Sequence, residues 1–279
     1  MDNVKKIVLV PWDFTEGSEN ALLHAIQLAL AGDNEVMLLH IIPRGFFFHL
    51  LGQKSNQKEI HDAKKKLEIL ADEILAKHFI KPQTLVMEGK PKRILKELMT
   101  EVDINLIVSY PFYKYQKNIF NATDFLRNMV AKEFTVPFII IDAPPAHNHY
   151  IEIVVPVDYD RKYKETLHWI IYLSKYYKCN INLIKPYFWD EGKKKHMAAN
   201  IYFTKKMLDG NKIIYGIKTA KKKSNFREEV FRFAHNIDSD LILIMADKYE
   251  LYVQEAKKAN VKIPIMCVNP RIKKYQSFN

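Results

Sequence analysis

The sequence has few cysteines and no long apolar run. Its two cysteines, Cys179 and Cys267, show no metal-ligand spacing and precede or lie in apolar segments, so we interpret them as small buried side chains. No apolar run approaches the ~18 residues of a membrane-spanning helix. The first residues do not have the pattern of a signal peptide, so we expect a cytoplasmic protein without a membrane span.

Motifs of common catalytic sites are also missing. We find no P-loop, no G-x-S-x-G motif and no set of His, Cys and Ser that suggests a nucleophile. His147 and His149 alternate in the segment HNH, but alternate histidines without carboxylate or Cys support are usually solvated. We therefore expect neither an enzyme nor a metal site. A slow ATPase is the least favoured class, because a hydrolase needs a positioned phosphate and usually a metal.

Glycine is absent from the stretch Leu106–Phe120, LIVSYPFYKYQKNIF, which begins as a buried strand and then opens into an aromatic loop. Three interpretations are open. The loop could be a platform on which bases stack, a phosphate-binding loop that has lost its glycines, or a hydrophobic contact surface. Its place in the fold decides between them.

Positive charge is unevenly distributed along the chain. The formal net charge is +11, and residues 145–279 carry all of it, since acidic and basic side chains are equal in number in residues 1–144. This asymmetry suggests an anionic partner for the second half, and the common alternative is a lysine-rich solvated surface. Nucleic acid is not expected at the aromatic loop, because that loop lies in the half without net charge.

An internal repeat organises the sequence. The segments Ile7–Phe14 and Ile151–Tyr159 are apolar runs that end in Pro-x-Asp, and a helical pattern follows each. Apolar runs then alternate with helical patterns in the same order in both halves. The later runs are 35–43, 84–89, 103–109 and 136–142 in the first half, and 180–186, 212–216, 238–245 and 263–269 in the second.

Strands that are apolar throughout and alternate with helices predict parallel sheets covered on both faces. The sequence therefore predicts an α/β protein of two tandem Rossmann-like domains, residues 1–144 and 150–279, with Ala143–Tyr150 as the linker. A short apolar patch, Arg44–Gly52, follows the second strand. We interpret it as a lid over the crevice or part of the domain interface, and a lipid or partner-protein contact is the alternative.

These motifs resemble the universal stress protein family. The resemblance rests on the early Pro-x-Asp followed by FTEGSENAL, on LLHIIP after the second strand and on VPFIII at the fifth. It covers nearly all of the first half and, more weakly, IVVPVDY, DLILI and IPIMCVN in the second. The resemblance implies a tandem member with two HUP-type domains, each a five-stranded parallel sheet of order 3-2-1-4-5 flanked by helices. It also implies an internal pseudo-dimer in which the domains pair through their fifth strands.

Many members of this family bind ATP where the strand order reverses, which is a general ligand position in open α/β sheets. By resemblance, the crevice of the first domain would be formed by Pro11, Asp13, Thr15, Ile41, Tyr110 and Tyr113. Tyr110 and Tyr113 take the places of the first two glycines in the family pattern G-x2-G-x9-G-[ST], and Thr123 or Asp124 takes the third. Glycines there let backbone amides approach the phosphates, so bulky side chains would fill that space. The second half lacks the loop altogether.

The expected function is therefore a non-enzymatic stress-response protein that has lost the family ATP motif and binds an anionic ligand or a partner protein. No cofactor is expected. The alternative is a nucleotide-binding protein that holds ATP in the first-domain crevice through Asp13 and Ile41. A structural role for Asp13 and Asp158, as Asx-type caps of the turn after the first strand, is also open.

Basic residues in the second half follow the predicted strands at their carboxyl ends. A ring of positive side chains at that edge would attract an anion. The predicted anion-binding residues are Arg161, Lys162, Lys185, Lys221, Lys222, Lys223 and Lys248.

Overall fold

The computed structural model describes residues 6–42, 57–115, 118–121, 136–222 and 224–268. These residues form two compact units. The first contains the described residues up to 121 and residues 140–144, and the second contains 136–139 and the described residues from 145 onward. The domain boundaries 1–144 and 150–279 stay predictions. The patch 44–52 lies outside the described residues.

The first unit contains a parallel sheet built around β1 (Ile7–Pro11). Strands β2 (Glu35–Ile42) and β4 (Ile104–Ser109) flank β1, and β3 (Gln83–Glu88) pairs with the far side of β2. The side chains of β1 are buried from residue 7 to residue 10. A strand with both faces buried needs helices on both sides, which is why its sequence is a continuous apolar run.

Three helices of the first unit connect these strands: α1 (Glu16–Gly32), α2 (Gln57–His78) and α3 (Pro91–Glu101). Helix α2 is amphipathic and buries Ala63, Leu67, Ala71 and Ile74, which recur every three or four residues. Helix α3 begins at a proline, which is tolerated there because the first amide of a helix has no intrahelical partner.

The aromatic stretch after β4 contains a hairpin. Strands β5 (Phe112–Tyr115) and β6 (Asn118–Asn121) pair in antiparallel register, with Tyr113 opposite Phe120. The expectation of an irregular loop is corrected here. Aromatic residues favour paired strands, and the same composition that suggested a contact surface also has high strand propensity.

One further short strand, β7 (Phe138–Ile140), falls at the boundary in the chain between the two units. Residues 138 and 139 belong to the second unit, and residue 140 belongs to the first. Just after β7, the amide of Ile141 donates to the carbonyl of Ser109 at 3.1 Å within the first unit.

The second unit contains a parallel sheet built around β8 (Glu152–Pro156). Its strands run in the order β10-β9-β8-β11-β12, and each neighbouring pair in this order is parallel. The other strands are β9 (Asn180–Lys185), β10 (Tyr215–Thr219), β11 (Leu241–Met245) and β12 (Ile265–Val268). The α/β fold class is therefore confirmed.

Helices of the second unit alternate with these strands: α4 (Thr166–Tyr177), α5 (Glu191–Gly210), α6 (Phe226–Asn236) and α7 (Tyr249–Ala259). Short 3-10 helices at Arg161–Glu165 and Ala246–Lys248 precede α4 and α7. Within the described residues, no helix is both long and apolar enough to cross a membrane.

The third strand of the second unit begins later than the sequence predicted. The apolar residues of the run 212–216 suggested a strand, but β10 starts at Tyr215. The amide of Ile213 donates to the carbonyl of Leu208, in the last turn of α5, at 3.0 Å, and the Ile213 side chain is buried. The first apolar residue of that run therefore closes a helix, as hydrophobic residues after a helix C-terminus often do.

Candidate functional site

The turn between β1 and α1 is organised by Asp13. The Asp13 carboxylate accepts hydrogen bonds from the Thr15 amide at 3.1 Å and from the Thr15 hydroxyl at 2.5 Å. Ser18 completes the cap, because its hydroxyl lies 3.2 Å from the Thr15 amide and 2.8 Å from the Thr15 carbonyl. Asp13 is only 8% exposed. Its carboxylate thus fixes the entry into α1, which is the Asx-type role that the sequence left open.

An equivalent turn follows β8 in the second unit. The Asp158 carboxylate accepts from the Asp160 amide at 2.9 Å, and Asp160 in turn accepts from the Lys162 amide at 2.9 Å. Asn200 on α5 donates to the carbonyls of Asp158 and Asp160. The repeated Pro-x-Asp is therefore a repeated local structure, in which the carboxylate caps the turn.

Phe14 adopts a positive φ of 60° in the first of these turns, a conformation that bulky residues rarely adopt. Its ring packs edge-on against Trp12 and His40, with centroid separations of 6.0 and 4.9 Å. His40 Nδ1 also donates to the Trp12 carbonyl at 2.8 Å. Burial lowers the pKa of His40 from its ordinary value, although the Trp12 hydrogen bond and the Asp13 charge oppose that shift. The turn is therefore held by aromatic packing as well as by Asp13.

Two other residues predicted for the crevice, Pro11 and Ile41, lie on neighbouring strands. Pro11 ends β1, and Ile41 lies on β2 with a side chain that is 6% exposed. Ile41 thus contributes to the core, and any contact it makes with a ligand would be through its backbone.

Tyr110 packs on the first turn of α1. A Cβ built on Gly17 would lie 2.4 Å from Tyr110 Cδ1 and 2.5 Å from its Cγ, so only glycine fits beneath the ring. Burial, with Asp142 and Glu16 as smaller causes, raises the pKa of the Tyr110 hydroxyl. Backbone amides at a helix N-terminus are a common phosphate site, and here an aromatic ring occupies the space beside Gly17 in that turn. Tyr113 lies on β5, and its side chain is outside the described part of the chain.

In the second unit, the point where the strand order reverses lies between β8 and β11. The cavity at this point has a volume of about 30 Å³. Most of its lining side chains are large, and the lining residues are Pro156, Val157, Asp158, Tyr163, Thr166, Phe226, Ile244, Met245, Lys248 and Tyr252. Tyr163 and Tyr252 are almost wholly buried, which raises the pKa of both hydroxyls. A cavity of this size holds about one water molecule, so large side chains fill the space that a ligand would need.

A larger groove lies farther along the same edge, beside the ends of β9 and β10. Its volume is about 450 Å³, and its lining residues are Lys185, Pro186, Tyr187, Phe188, Lys194, Met197, Ala198, Ile201, Tyr202, Lys205 and Thr219. This volume is typical of small-molecule sites, which span ~300–1,000 Å³.

The predicted basic residues occupy several places in the second unit. Lys185 lines the groove, whereas Lys248 lines the small cavity, with its Nζ 3.8 Å from Asp158 Oδ2. Lys222 lies over the rings of Tyr187 and Trp189, at 5.1 and 5.6 Å from their centroids. Four of the predicted basic residues are exposed: Arg161, Lys162, Lys221 and Lys222. Lys223 lies outside the described residues. Lys185 and Lys248 therefore line two separate cavities and not a single crevice.

Aromatic residues of this region were missed by the sequence analysis. Tyr187, Phe188 and Trp189 follow Pro186 directly, at the end of β9. The equivalent place in the first half also carries consecutive aromatic residues, in the segment PRGFFF, and that parallel was the available signal. Three rings in a row after a strand end cannot all enter the core, so some of them must line the surface.

His147 has a more specific environment than a solvated linker residue. Its Nδ1 donates to Asp240 at 2.6 Å, and its Nε2 lies 3.2 Å from Asp238. The hydrogen bond to Asp240 is the main cause of a raised His147 pKa. Asp240 also accepts from the amides of Ile151 and Glu152, so this carboxylate ties the residues before β8 to the start of β11. Among the described residues, no group of three or more His, Cys, Asp or Glu side chains could hold a metal ion.

Comparisons with known proteins agree with this architecture. Residues 5–109 match the model of the Universal stress protein family. A universal stress protein from Archaeoglobus fulgidus DSM 4304 has a TM-score of 0.67 at 14% identity, over 96% of this chain and 97% of that one. A functionally unknown protein from Pseudomonas aeruginosa PAO1 has a TM-score of 0.57 at 16% identity, over 96% and 93% of the two chains. A search of curated protein sequences gives no match. The resemblance to the universal stress protein family is thus confirmed for the first half, and the structural matches extend the fold to the whole chain.

Proposed function

We propose that this chain, whose residues 5–109 match the universal stress protein family, is a non-enzymatic cytoplasmic protein of the stress response that binds an anion in its second unit. It does not hold ATP in the way that the family resemblance implies. The observation that carries the loss of the ATP site is the packing of the Tyr110 ring on Gly17, in the first turn of α1.

The packing of Tyr110 bears directly on phosphate binding. Phosphates bind helix N-termini because backbone amides point toward them and the helix dipole favours negative charge. A phosphate at Gly17 would have to displace the Tyr110 ring. In the second unit, the corresponding cavity has only about 30 Å³ of space. Both observations support loss of the family ATP site.

The turn carboxylates support a non-enzymatic role. Asp13 and Asp158 each accept hydrogen bonds from the turn that they cap. We assign both residues to structure, because a carboxylate occupied in this way is a poor candidate for proton transfer to a ligand.

Charge supports an anionic ligand or an acidic segment of a partner protein. The net charge of +11 belongs to the second half of the sequence, and lysines follow several of its strands. Clustered positive side chains raise the local concentration of anions and speed their association. Lysine side chains would contact such a ligand in place of the backbone amides of a glycine loop.

We also propose the internal pseudo-dimer, with the fifth strands 138–142 and 265–269 as its contact. The support is their apolar sequence, since an unpaired strand edge of this kind invites aggregation. Slow hydrogen exchange at the amides of both segments is expected, and rapid exchange at either one would contradict the pairing.

Titration calorimetry tests the anion site and the loss of the ATP site together. Wild-type protein is titrated with ATP and Mg²⁺ and, separately, with tripolyphosphate, at low and at physiological salt. The same titrations are made with Asp13→Ala and with Lys221→Gln/Lys222→Gln/Lys223→Gln. We expect tripolyphosphate to bind more weakly to the lysine variant and at higher salt. Any ATP signal should be in the high micromolar range and should not change in Asp13→Ala.

Two outcomes would count against the proposal. A nanomolar ATP isotherm that Asp13→Ala abolishes would establish the alternative, a nucleotide site in the first unit. Equal tripolyphosphate binding by wild type and the lysine variant would remove these lysines from the anion site.

A further inference from the structure

We infer that the groove between the end of β9 and helix α5 is a site for a small anion that carries a planar aromatic ring. This inference deepens the proposed function and rests on it, because it gives the anion a location and a chemical class. The groove lies at the edge of the sheet on the β9–β10 side, away from the point between β8 and β11 where the strand order reverses.

The wall formed by α5 has a regular chemical pattern. Lys194, Ala198, Ile201 and Lys205 line the groove at intervals of three or four residues, so they form one stripe along the helix. The stripe is apolar in its middle and positive at both ends. The two lysines are eleven positions apart on the helix, a rise of about 16 Å. Such a surface accommodates a flat apolar body with a charged group at one end.

Aromatic side chains form the opposite wall and the rim. Tyr187 and Phe188 come from the segment after β9, and Tyr202 comes from α5 with 72% of its surface exposed. An exposed ring beside a groove is available for stacking against a planar ligand. Rings of this kind prefer offset or edge-on contacts with another aromatic ring, worth about 0.5–1.5 kcal/mol beyond the area they bury.

The rings of this wall are held in place by neighbouring rings and by lysines. Tyr187 packs edge-on against Trp189 at 5.1 Å, and Lys222 lies over both rings. Phe188 packs edge-on against Tyr159 at 5.4 Å, and Lys193 lies over both of those rings. Two aromatic pairs, each with one lysine over it, give this wall a defined shape. They also place positive charge next to the groove.

An ion pair offsets part of the positive charge at the start of α5. Glu191 contacts Lys194 at 2.6 Å and offsets its charge. Lys185 comes from the end of β9, and Lys205 lies near the other end of the stripe. These two lysines supply the positive charges that would contact the anionic group of the ligand. Thr219, at the end of β10, adds a hydroxyl that can donate a hydrogen bond to the anion.

The contributions of the ligand's aromatic ring and of its anionic group can be tested separately with matched probes. The probe is 1-naphthyl phosphate, which has both features. The controls are 1-naphthol, which has the ring without the phosphate, and cyclohexyl phosphate, which has the phosphate without an aromatic ring. We expect calorimetry on the full chain to show binding of 1-naphthyl phosphate at least ~10-fold tighter than binding of either control.

The location can be tested with two exposed alanines of α5. Ala198 lines the groove and Ala199 does not, yet both are exposed on the same helix. We expect Ala198→Trp to weaken binding of 1-naphthyl phosphate at least ~10-fold and Ala199→Trp to leave it unchanged. Lys185→Gln should weaken binding and reduce its dependence on salt. If Ala198→Trp does not fold, amide shifts in ¹⁵N spectra of the wild type with the probe provide the same test. They should be confined to residues 185–188, 194–205 and 219.

The outcomes separate this inference from the proposed function. Equal binding of the three probes, equal binding by the two tryptophan variants, or shifts elsewhere would overturn the inference. If binding of tripolyphosphate still depends on Lys221, Lys222 and Lys223 in that case, the proposed function stands. If no anion binds the wild type at all, both fail. An oligonucleotide that binds far more tightly than the probe, with affinity rising with its length, would also overturn the inference in favour of single-stranded nucleic acid.

Discussion

The two units begin in the same way and differ at the carboxyl edge of their sheets. In each, a buried strand ends in Pro-x-Asp, and the carboxylate accepts an amide two residues later. In the first unit, the ring of Tyr110, which follows β4, packs on Gly17 in the helix that follows the turn. In the second, Tyr163, Phe226 and Tyr252 fill the corresponding position, and the open space lies beside β9.

This difference shows that the sheet alone does not decide where space for a ligand is left. Open parallel sheets favour ligand sites where the strand order reverses, because loops diverge there. Large side chains can fill that position without changing the strands. The position of the site then depends on segments outside the sheet, and on a repeated fold the two copies can differ.

The packing of Tyr110 on Gly17 gives the largest expected effect. A methyl group at position 17 would require the ring to move, because the built Cβ lies within 2.5 Å of two ring atoms. We expect Gly17→Ala to reduce the free energy of unfolding of the first unit by ~1–3 kcal/mol, the usual cost of overpacking. Hydrogen exchange at the β1 amides reports on this unit.

A double variant checks the physical reason. In a Tyr110→Ala background the ring is gone, so Gly17→Ala should be neutral or should stabilise α1 by up to ~1 kcal/mol through helix propensity. An equal destabilisation in both backgrounds would show that the ring does not occupy this space. Recovery of ATP binding in Tyr110→Ala would add support for the covering role of Tyr110.

Much of the fold was predictable, because it depends on patterns that are local in the sequence. Continuous apolar runs such as Ile7–Val10 are typical of strands buried on both faces, and the Pro-x-Asp repeat marked both turns. The strand predicted at 212–216 begins only at Tyr215. The prediction was early because a buried isoleucine after a helix, here Ile213, has the same apolar signature as the start of a strand.

The sites were harder to predict, because they depend on contacts between distant segments. The sequence suited Asp13 to a turn cap or to a ligand contact, and it could not show the hydrogen bonds that Asp13 accepts from Thr15. The groove combines the segment after β9 with a stripe of α5, which are separate in the sequence. Sequence position placed the lysines at one edge of the sheet, but it could not show that Lys185 and Lys248 line separate cavities.

Replacing the turn carboxylates should give the next largest effect. Asp13→Ala removes two hydrogen bonds to Thr15, and we expect a loss of ~1–2 kcal/mol in the first unit. Asp158→Ala removes the bond to the Asp160 amide, and we expect ~1 kcal/mol in the second unit. The Lys248 contact at 3.8 Å should add little, because partly exposed ion pairs contribute weakly. Exchange at the β1 and β8 amides measures the two losses separately.

Asparagine variants are the matched controls for both turns. Asp13→Asn and Asp158→Asn keep a side-chain oxygen that can accept the same amide, so each should cost less than its alanine counterpart. If Asp13→Ala leaves the first unit at full stability, the carboxylate is not a structural cap, and a role in ligand contact becomes the better explanation.

Two histidines with opposite pKa shifts should give the smallest effect on stability, and its dependence on pH should differ in sign between the two units. Burial lowers the pKa of His40, which faces Trp12, Asp13, Glu59 and Lys66. The hydrogen bond to Asp240, aided by Asp238, raises the pKa of His147. An unfolded histidine titrates near pH ~6.5. Because each shift is a difference between the folded and unfolded states, each must appear in the dependence of stability on pH.

The signs of these two contributions are opposite. His40 binds a proton less readily when folded, so its contribution is fully present above pH ~6.5 and is lost as the pH falls toward its lowered pKa. His147 binds a proton more readily when folded, so its contribution is fully present below pH ~6.5 and is lost as the pH rises through its raised pKa. Calorimetric melting of wild type, His40→Gln and His147→Gln between pH ~5 and pH ~8 should therefore show divergent differences from wild type. The His147→Gln deficit should be greatest at low pH, whereas His40→Gln should compare best with wild type there. A deficit for His147→Gln that does not vary with pH would mean that its contacts with Asp238 and Asp240 do not depend on the imidazolium charge.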